Sequence, residues 1–149
     1  MTVAEQRVDD GLLGGIVRLN LRVTQVLDEI AGAAGLAFAD YLVLGVVRRS
    51  PGGRSSPKAI ADVLGRTTGG MSLALDRLEA AGWMRRSPDP SDGRRVVVEL
   101  TATGLRLATR VNRRLHEWES SLELPLTHGE VMAVLEAVTA AVDQRPRVS

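Results

Sequence analysis

Asp92-Gly93-Arg94-Arg95-Val96-Val97-Val98-Glu99-Leu100-Thr101 is the stretch that decides the fold. It follows a turn-forming run of Asp, Pro, Ser and Gly at residues 89–93 and continues into apolar residues that alternate in period two. That alternation is typical of a half-buried β-strand, and the turn formers before it predict a hairpin. Arg94 and Arg95 therefore lie at the root of a protruding loop.

Two short helices are predicted immediately before the hairpin. Ser56-Pro57 begins the first, with serine as the cap and proline in the first turn, and Gly65 ends it. Thr67 caps the second, which runs to Ala80 or Ala81. A helix pair with this spacing, followed by an arginine-tipped hairpin, is typical of a winged helix-turn-helix that binds DNA.

Further helices are predicted on both sides, because apolar residues recur there at three- and four-residue steps. They cover about residues 8–33 and 38–49 before the helix pair. After the hairpin, Thr101 begins a helix to about Leu122, and a capping box at 127–130 begins the last one, to about Val142. The fold class is mainly α with a small β-wing.

Composition limits the class of protein. The chain has 149 residues, of which 44% are hydrophobic and 25% charged, as in a soluble single domain. With no cysteine, disulfides and thiolate zinc sites are excluded. We expect a cytoplasmic protein without a membrane segment, because the apolar run at 42–47 is too short to span a bilayer and residues 1–6 do not resemble a secretory signal.

The net charge of +1 conceals an asymmetry along the chain. Residues 48–114 carry 14 basic against 6 acidic side chains, a net of +8, whereas residues 1–47 and 115–149 carry −3 and −4. A basic middle segment either faces a polyanion or is an ordinary solvated surface, and charge alone leaves both interpretations open.

The second helix of the pair is the one that enters the major groove in this fold. Its inward face is predicted to carry Met71, Ala74, Leu75 and Leu78, and its outward face has no Arg, Asn or Gln to read bases. One interpretation is that this face of small side chains packs against a protein partner. The other is a helix whose glycines let the backbone approach DNA, while hydroxyls hold phosphates and Leu73 contacts thymine methyls.

The wing and the charge distribution favour the DNA interpretation. Arg94 is the candidate for an A·T-rich minor groove, oriented by a charge-assisted bond from Asp92. Arg95 and Arg77 are expected to hold phosphates. The predicted DNA-binding residues are Ser56, Lys58, Thr67, Thr68, Gly69, Gly70, Ser72, Leu73, Arg77, Asp92, Arg94 and Arg95.

These segments resemble the multiple-antibiotic-resistance regulator (MarR) family of bacterial transcription factors. The resemblance covers nearly the whole chain and departs from the family pattern in the glycine-rich stretch 66–70 and at Leu73, a position that is often polar in relatives. The matching segments are Ala61-Asp62-Val63-Leu64-Gly65, Leu75-Asp76-Arg77-Leu78-Glu79-Ala80-Ala81-Gly82-Trp83 and Asp92-x-Arg94-x-x-x-Val98-x-Leu100-Thr101-x-x-Gly104.

The resemblance implies a single domain over residues 1–149, with N- and C-terminal dimerisation helices around the winged helix. The DNA-binding lobe covers about 38–100, and the helical dimerisation region covers about 8–33 and 101–142. A homodimer of this kind is expected to bind double-stranded DNA as a repressor that a ligand releases from a palindromic operator. The alternative is a winged-helix protein-interaction module without operator binding, which the two wing arginines disfavour.

The resemblance also implies a small amphipathic or phenolic ligand between the dimer helices and the DNA-binding lobe. Tyr41 and Trp118 would form an aromatic wall, and Arg18 and Arg22 a polar handle, although each is also explained as a core aromatic or a solvated arginine. The chain has no catalytic triad, phosphate loop or dinucleotide fingerprint, and its two histidines lack neighbouring ligands. We therefore expect no enzyme activity, no cofactor and no metal.

Overall fold

The computed structural model describes residues 9–148, which form six α-helices and three short strands. The helices are α1 (Leu12–Gly32), α2 (Phe38–Arg49), α3 (Pro57–Leu64), α4 (Thr68–Ala80), α5 (Ala102–Ser120) and α6 (His128–Asp143); the strands are β1 (Arg54–Ser55), β2 (Met84–Pro88) and β3 (Val96–Leu100). The mainly α fold with a small β-wing is confirmed. The start predicted for the first helix, near Val8, lies outside the described residues.

Two compact units divide the chain at residues 117 and 118, within α5. The first unit contains α1 to α4, the sheet and most of α5; the second contains the end of α5 and all of α6. The assignment of residues 1–149 to a single domain stays a prediction.

The helix-turn-helix of α3 and α4 begins and ends where its capping residues predict. The Ser56 hydroxyl accepts the Ala59 amide at 3.2 Å, and the Thr67 hydroxyl accepts the Gly70 amide at the same distance. Gly65 adopts the left-handed conformation, with φ of 64°, which favours glycine because a side chain would be strained there. This turn sets the angle at which α4 leaves α3.

The core of the first unit lies beneath α4. The predicted inward face of that helix is confirmed, since Met71, Leu75 and Leu78 are at most 1% exposed and Ala74 only 3%. They pack with fully buried side chains from the neighbouring elements, namely Val43, Leu44, Val47, Ile60, Met84, Val98 and Val111. Helix α4 is therefore fixed by the core on one side, and its opposite face remains open to solvent.

The wing is an antiparallel sheet of three strands in the order β1-β3-β2. The predicted hairpin corresponds to β2 and β3, whereas β1 was not predicted because two residues are too few to show a period. In the central strand β3, Val98 is fully buried, whereas Val96 is 40% exposed because it lies towards the hairpin tip, beyond the core. The predicted alternation therefore holds for the base of the wing and fails near its tip.

The base of the wing is joined closely to α5. The Gly104 amide donates to the Thr101 hydroxyl at 3.1 Å, which confirms the predicted cap, and that hydroxyl donates to the Gly82 carbonyl at 2.7 Å. A methyl group at Gly104 would lie 1.8 Å from the Trp83 carbonyl oxygen, so only glycine fits. The first turn of α5 consequently holds the wing at a fixed position relative to α4.

The capping box at the start of α6 is confirmed. Thr127 accepts the Glu130 amide, and the Glu130 carboxylate accepts the Thr127 amide at 2.8 Å, which lowers the pKa of Glu130. Within residues 128–143 no side chain is buried. None of the helices in residues 9–148 is both long and apolar enough to cross a membrane.

Candidate nucleic-acid interface

An open cleft of about 910 Å³ lies between the wing and the first turns of α3 and α4. It brings together four of the predicted DNA-binding residues, namely Ser56, Lys58, Thr68 and Arg95. Its lining also includes residues that sequence reasoning missed, chiefly Arg54, Ser55, Asp89 and Pro90. The cleft therefore joins the helix-turn-helix and the wing into one continuous surface.

Arg94 lies at the wing tip with 93% of its side chain exposed. Its backbone amide and its Nε both donate to Asp92 Oδ1, at 3.1 and 3.3 Å, so the predicted contact between these residues is confirmed. Arg95 is 77% exposed, and its Nε lies 3.6 Å from Asp92 Oδ2. A single carboxylate thus aligns both guanidinium groups while leaving most of each exposed.

The turn that carries these arginines is held by its own hydrogen bonds. The Ser91 amide and hydroxyl donate to Asp89 Oδ1 at 2.8 and 2.7 Å, and these bonds lower the pKa of Asp89. The Asp89 amide donates to the Arg95 carbonyl at 2.9 Å, which closes the loop. The wing tip is thus a turn closed by local hydrogen bonds, and it carries both arginines.

Two carboxylates of α4, those of Asp76 and Glu79, accept hydrogen bonds from Arg86 on β2. Arg86 donates from one terminal nitrogen to Asp76 Oδ1 at 2.6 Å, and from its backbone amide to Glu79 Oε2 at 2.8 Å. The side-chain bond from Arg86 to Glu79 is the main cause of the lowered pKa of Glu79. Two negative charges that would repel phosphate are therefore compensated within the protein, and α4 is fixed to the wing.

Arg77 has a partner that the sequence did not predict. Its Nε and one terminal nitrogen bind the two carboxylate oxygens of Asp40 at 3.1 and 2.5 Å, and these hydrogen bonds raise the pKa of Arg77. Asp40 lies on α2 and is only 6% exposed, whereas 58% of the arginine side chain remains exposed. The expected phosphate contact of Arg77 stays a prediction, but the guanidinium already joins α4 to α2.

The start of α4 offers backbone rather than side chains. A methyl group at Gly69 would meet nothing within 4 Å, and one at Gly70 would meet only the Thr67 hydroxyl, at 3.2 Å. Packing inside the protein therefore does not require glycine at position 69. One turn further along, Leu73 is 68% exposed.

Lys58, at the start of α3, already has a partner within the chain. Its ammonium group donates to Asp62 at 2.8 Å, a bond that raises the pKa of the lysine, although both side chains remain largely exposed. Thr68 and Ser72 are exposed beside the cleft and on the outward face of α4. Their contact with phosphates stays a prediction.

The structure separates the residues predicted to bind a small ligand. Tyr41 lines a cavity of about 580 Å³ between α2, α3 and α5, where Asn112 Nδ2 donates to its hydroxyl at 3.2 Å. Arg18 and Arg22 line a different concavity, of about 380 Å³, on α1. The ligand-binding role of Tyr41 and these arginines stays a prediction, and that prediction did not include Asn112. Trp118 belongs to the second unit.

Metal ligands do not converge in the part of the chain described, since residues 9–148 hold no group of three or more His, Asp or Glu arranged to bind a metal ion.

Comparison with known proteins gives consistent results. A family model described as "MarR family" matches residues 34–95. The chain is 31% identical over 120 residues to the HTH-type transcriptional regulator PecS of Dickeya dadantii, covering 80% of this chain and 72% of PecS. It is also 31% identical over 129 residues to the multiple antibiotic resistance protein MarR of Escherichia coli K12, covering 83% of this chain and 85% of MarR.

Solved structures agree with this similarity. The fold matches the crystal structure of a mutant MarR from E. coli complexed with operator DNA, with a TM-score of 0.71 and 29% sequence identity. The match covers 87% of this chain and 92% of that one.

Proposed function

The chain belongs to the MarR family of DNA-binding transcriptional regulators, and we propose that it is a dimeric repressor that a small ligand releases from a palindromic operator. The observation that carries the DNA-binding mode is the pair of exposed arginines on the ordered wing tip, continuous with the cleft beside α3. A winged helix-turn-helix places its second helix in the major groove. The wing arginines then reach the adjacent minor groove and phosphates.

Dimerisation is supported by apolar side chains that one chain leaves exposed. On α1, Leu12 is 71% exposed, Leu13 66% and Leu21 58%; on α6, Val134 is 57% exposed. Large apolar side chains exposed in this number along a helix are typical of surfaces that another protein covers. A second copy of the same chain, related by a two-fold axis, also provides the two wings that a palindromic site needs.

Ligand control is supported by the cavity around Tyr41. Its lining combines apolar residues of α2 and α3 with the hydroxyl of Tyr41 and the amide of Asn112, a composition suited to a small amphipathic molecule. Titration with a hydroxybenzoate should perturb the fluorescence of the wild type and release it from DNA. The Asn112→Ala variant should bind the same probe more weakly; equal binding by both proteins would place the ligand elsewhere.

The repressor proposal is tested by selecting bound fragments from the source genome. A palindromic site upstream of a gene, bound more weakly as salt rises, is the expected result. Sedimentation of the same sample at micromolar concentration should give about twice the 16.0 kDa chain mass. The alternative, a protein-interaction module, predicts no enriched site and no salt-dependent binding to any duplex.

A further inference from the structure

We propose that Leu73 is a specificity-determining residue that recognises the 5-methyl group of a pyrimidine, thymine above all, in the major groove. The proposal rests on the DNA-binding role of α4 and concerns which chemical group on the DNA that helix reads. It assigns base recognition to an apolar contact in place of the hydrogen bonds that Arg, Asn or Gln would make.

The geometry of α4 isolates Leu73 on its outward face. The adjacent core residues Ala74 and Leu75 are at most 3% exposed, whereas Leu73 is 68% exposed. One turn towards the N-terminus, positions 69 and 70 are glycines and carry no side chain. Residues i−3 and i−4 lie next to residue i on a helix surface, so Leu73 projects beyond its neighbours on that side.

Another side chain on this face that could recognise a base, Asp76, is already bound to Arg86. Asp76 lies one turn beyond Leu73, and a carboxylate there would accept from the amino group of cytosine. Its Oδ1 accepts instead from Arg86 at 2.6 Å, within the protein. Ser72 is short, and its hydroxyl both donates and accepts, so it discriminates poorly between bases. Arg77, also one turn beyond Leu73, donates to both carboxylate oxygens of Asp40. The isobutyl group of Leu73 is therefore the side chain of this face that is left to contact a base edge.

The glycines supply the close approach that such a contact needs. A methyl group added at Gly69 would meet no atom of the protein within 4 Å beyond the adjoining residues and backbone of α4, so the space beside it is free for the DNA backbone. When α4 lies this near the groove floor, Leu73 meets the one apolar group displayed there, the thymine methyl. Removing both apolar surfaces from water favours thymine over a pyrimidine that lacks the methyl.

The test uses a duplex selected by the wild-type protein from a random-sequence pool. The duplex is then prepared with deoxyuridine in place of every thymidine, which removes the methyl groups and preserves base pairing. The wild type should bind the uracil duplex about fourfold more weakly for each contacted methyl, and about fifteenfold for two half-sites, since a buried methylene contributes about 0.8 kcal/mol. Leu73→Ala should bind both duplexes with nearly equal affinity.

Two controls separate this contact from general effects of the methyl group on DNA shape. Arg94→Ala should bind more weakly overall yet keep the wild-type ratio between thymine and uracil duplexes. At the position that carries the effect, a 5-methylcytosine·guanine pair should bind better than a cytosine·guanine pair by a similar factor, but only with Leu73 present. Thermal unfolding should show that Leu73→Ala is as stable as the wild type, because the side chain is exposed.

Either of two results would overturn the proposal while leaving the DNA-binding role intact: a wild type indifferent to uracil, or a Leu73→Ala variant that keeps the full preference for thymine. Failure of the wild type to select any duplex from the pool would instead overturn the DNA-binding role, and this inference with it.

Discussion

Helix α4 and the wing contribute different side chains to the same surface: small and apolar ones on α4, and positively charged ones on the wing. The outward face of α4 offers two glycines, an exposed leucine and carboxylates already compensated by Arg86. The wing tip offers two guanidinium groups that are 93% and 77% exposed. In the proposed binding mode, the helix approaches DNA closely, and the wing supplies the electrostatic attraction and reads the minor groove.

The two regions also differ in how they are held in place. Long-range ion pairs fix α4, from Arg77 to Asp40 on α2 and from Arg86 on β2 to Asp76. The wing tip depends on a local turn closed by Asp89 and Asp92. Changes at the wing tip should therefore alter DNA binding alone, whereas changes beneath α4 should also alter the stability of the fold.

The largest effect is expected at the wing. Arg94→Ala should weaken operator binding by about 1–3 kcal/mol and flatten the preference for A·T pairs under the wings, because a specific groove contact is lost. Arg95→Ala is the matched control on the same turn and should weaken specific and scrambled duplexes alike. Titration of both variants against both duplexes at two salt concentrations gives the comparison. If Arg94→Ala loses the same affinity for both duplexes, the wing contacts phosphates only and does not recognise sequence.

The next effect concerns the ion pair beneath α4. Arg77→Ala leaves the buried carboxylate of Asp40 without its bidentate partner, so the free energy of unfolding should fall by about 1–2 kcal/mol after allowance for the exposed arginine. Urea unfolding measures this change, and adding Asp40→Asn to the variant should restore part of the loss. A variant as stable as the wild type, with a salt slope reduced by about 1, would make Arg77 a phosphate contact only.

A smaller effect is expected at the start of α4, where one substitution should change stability and DNA affinity in opposite directions. Gly69→Ala should raise the free energy of unfolding by up to about 1 kcal/mol, since alanine favours helix and the added methyl meets no protein atom. The same methyl should weaken operator binding by obstructing the approach of DNA. Gly129→Ala is the matched control, at the same position after a threonine cap in α6, with the same open space. Unchanged operator affinity in Gly69→Ala would show that α4 does not approach DNA closely.

The smallest expected effect is a loss of stability at acid pH. Arg86 and Arg54 donate to Glu79 and Glu99, and these side-chain bonds lower both pKa values below the ordinary 4.5. A carboxylate with a lowered folded pKa contributes stability above its unfolded pKa and loses it as pH falls through the folded value. Urea midpoints should therefore decline between about pH 5 and about pH 3. Glu79→Gln should decline less steeply, and identical slopes would remove this ion pair from the explanation.

Local signals made the helix boundaries predictable from the sequence. Ser56, Thr67, Thr101 and Thr127 each cap a helix at the predicted place, because a cap depends on residues within one turn. The Asp92 contact to Arg94 was predictable for the same reason, since the two residues share one turn.

Contacts between distant residues were beyond sequence reasoning. Asp40 and Arg77 are 37 residues apart, Arg54 and Glu99 are 45 apart, and Tyr41 and Asn112 are 71 apart. Charge and hydrophobic period do not specify which of many arginines meets which carboxylate. For that reason Arg77 was assigned to DNA alone.

The most direct test of the division between helix and wing substitutes bases that alter one groove at a time. A 2,6-diaminopurine·thymine pair adds an amino group to the minor groove and keeps the major-groove pattern of A·T, whereas inosine·cytosine keeps the minor groove of A·T and changes the major groove. Under the wings, diaminopurine should weaken wild-type binding and inosine should not, and Arg94→Ala should be indifferent to both. Tolerance of diaminopurine with loss of binding on inosine would contradict minor-groove reading by the wing.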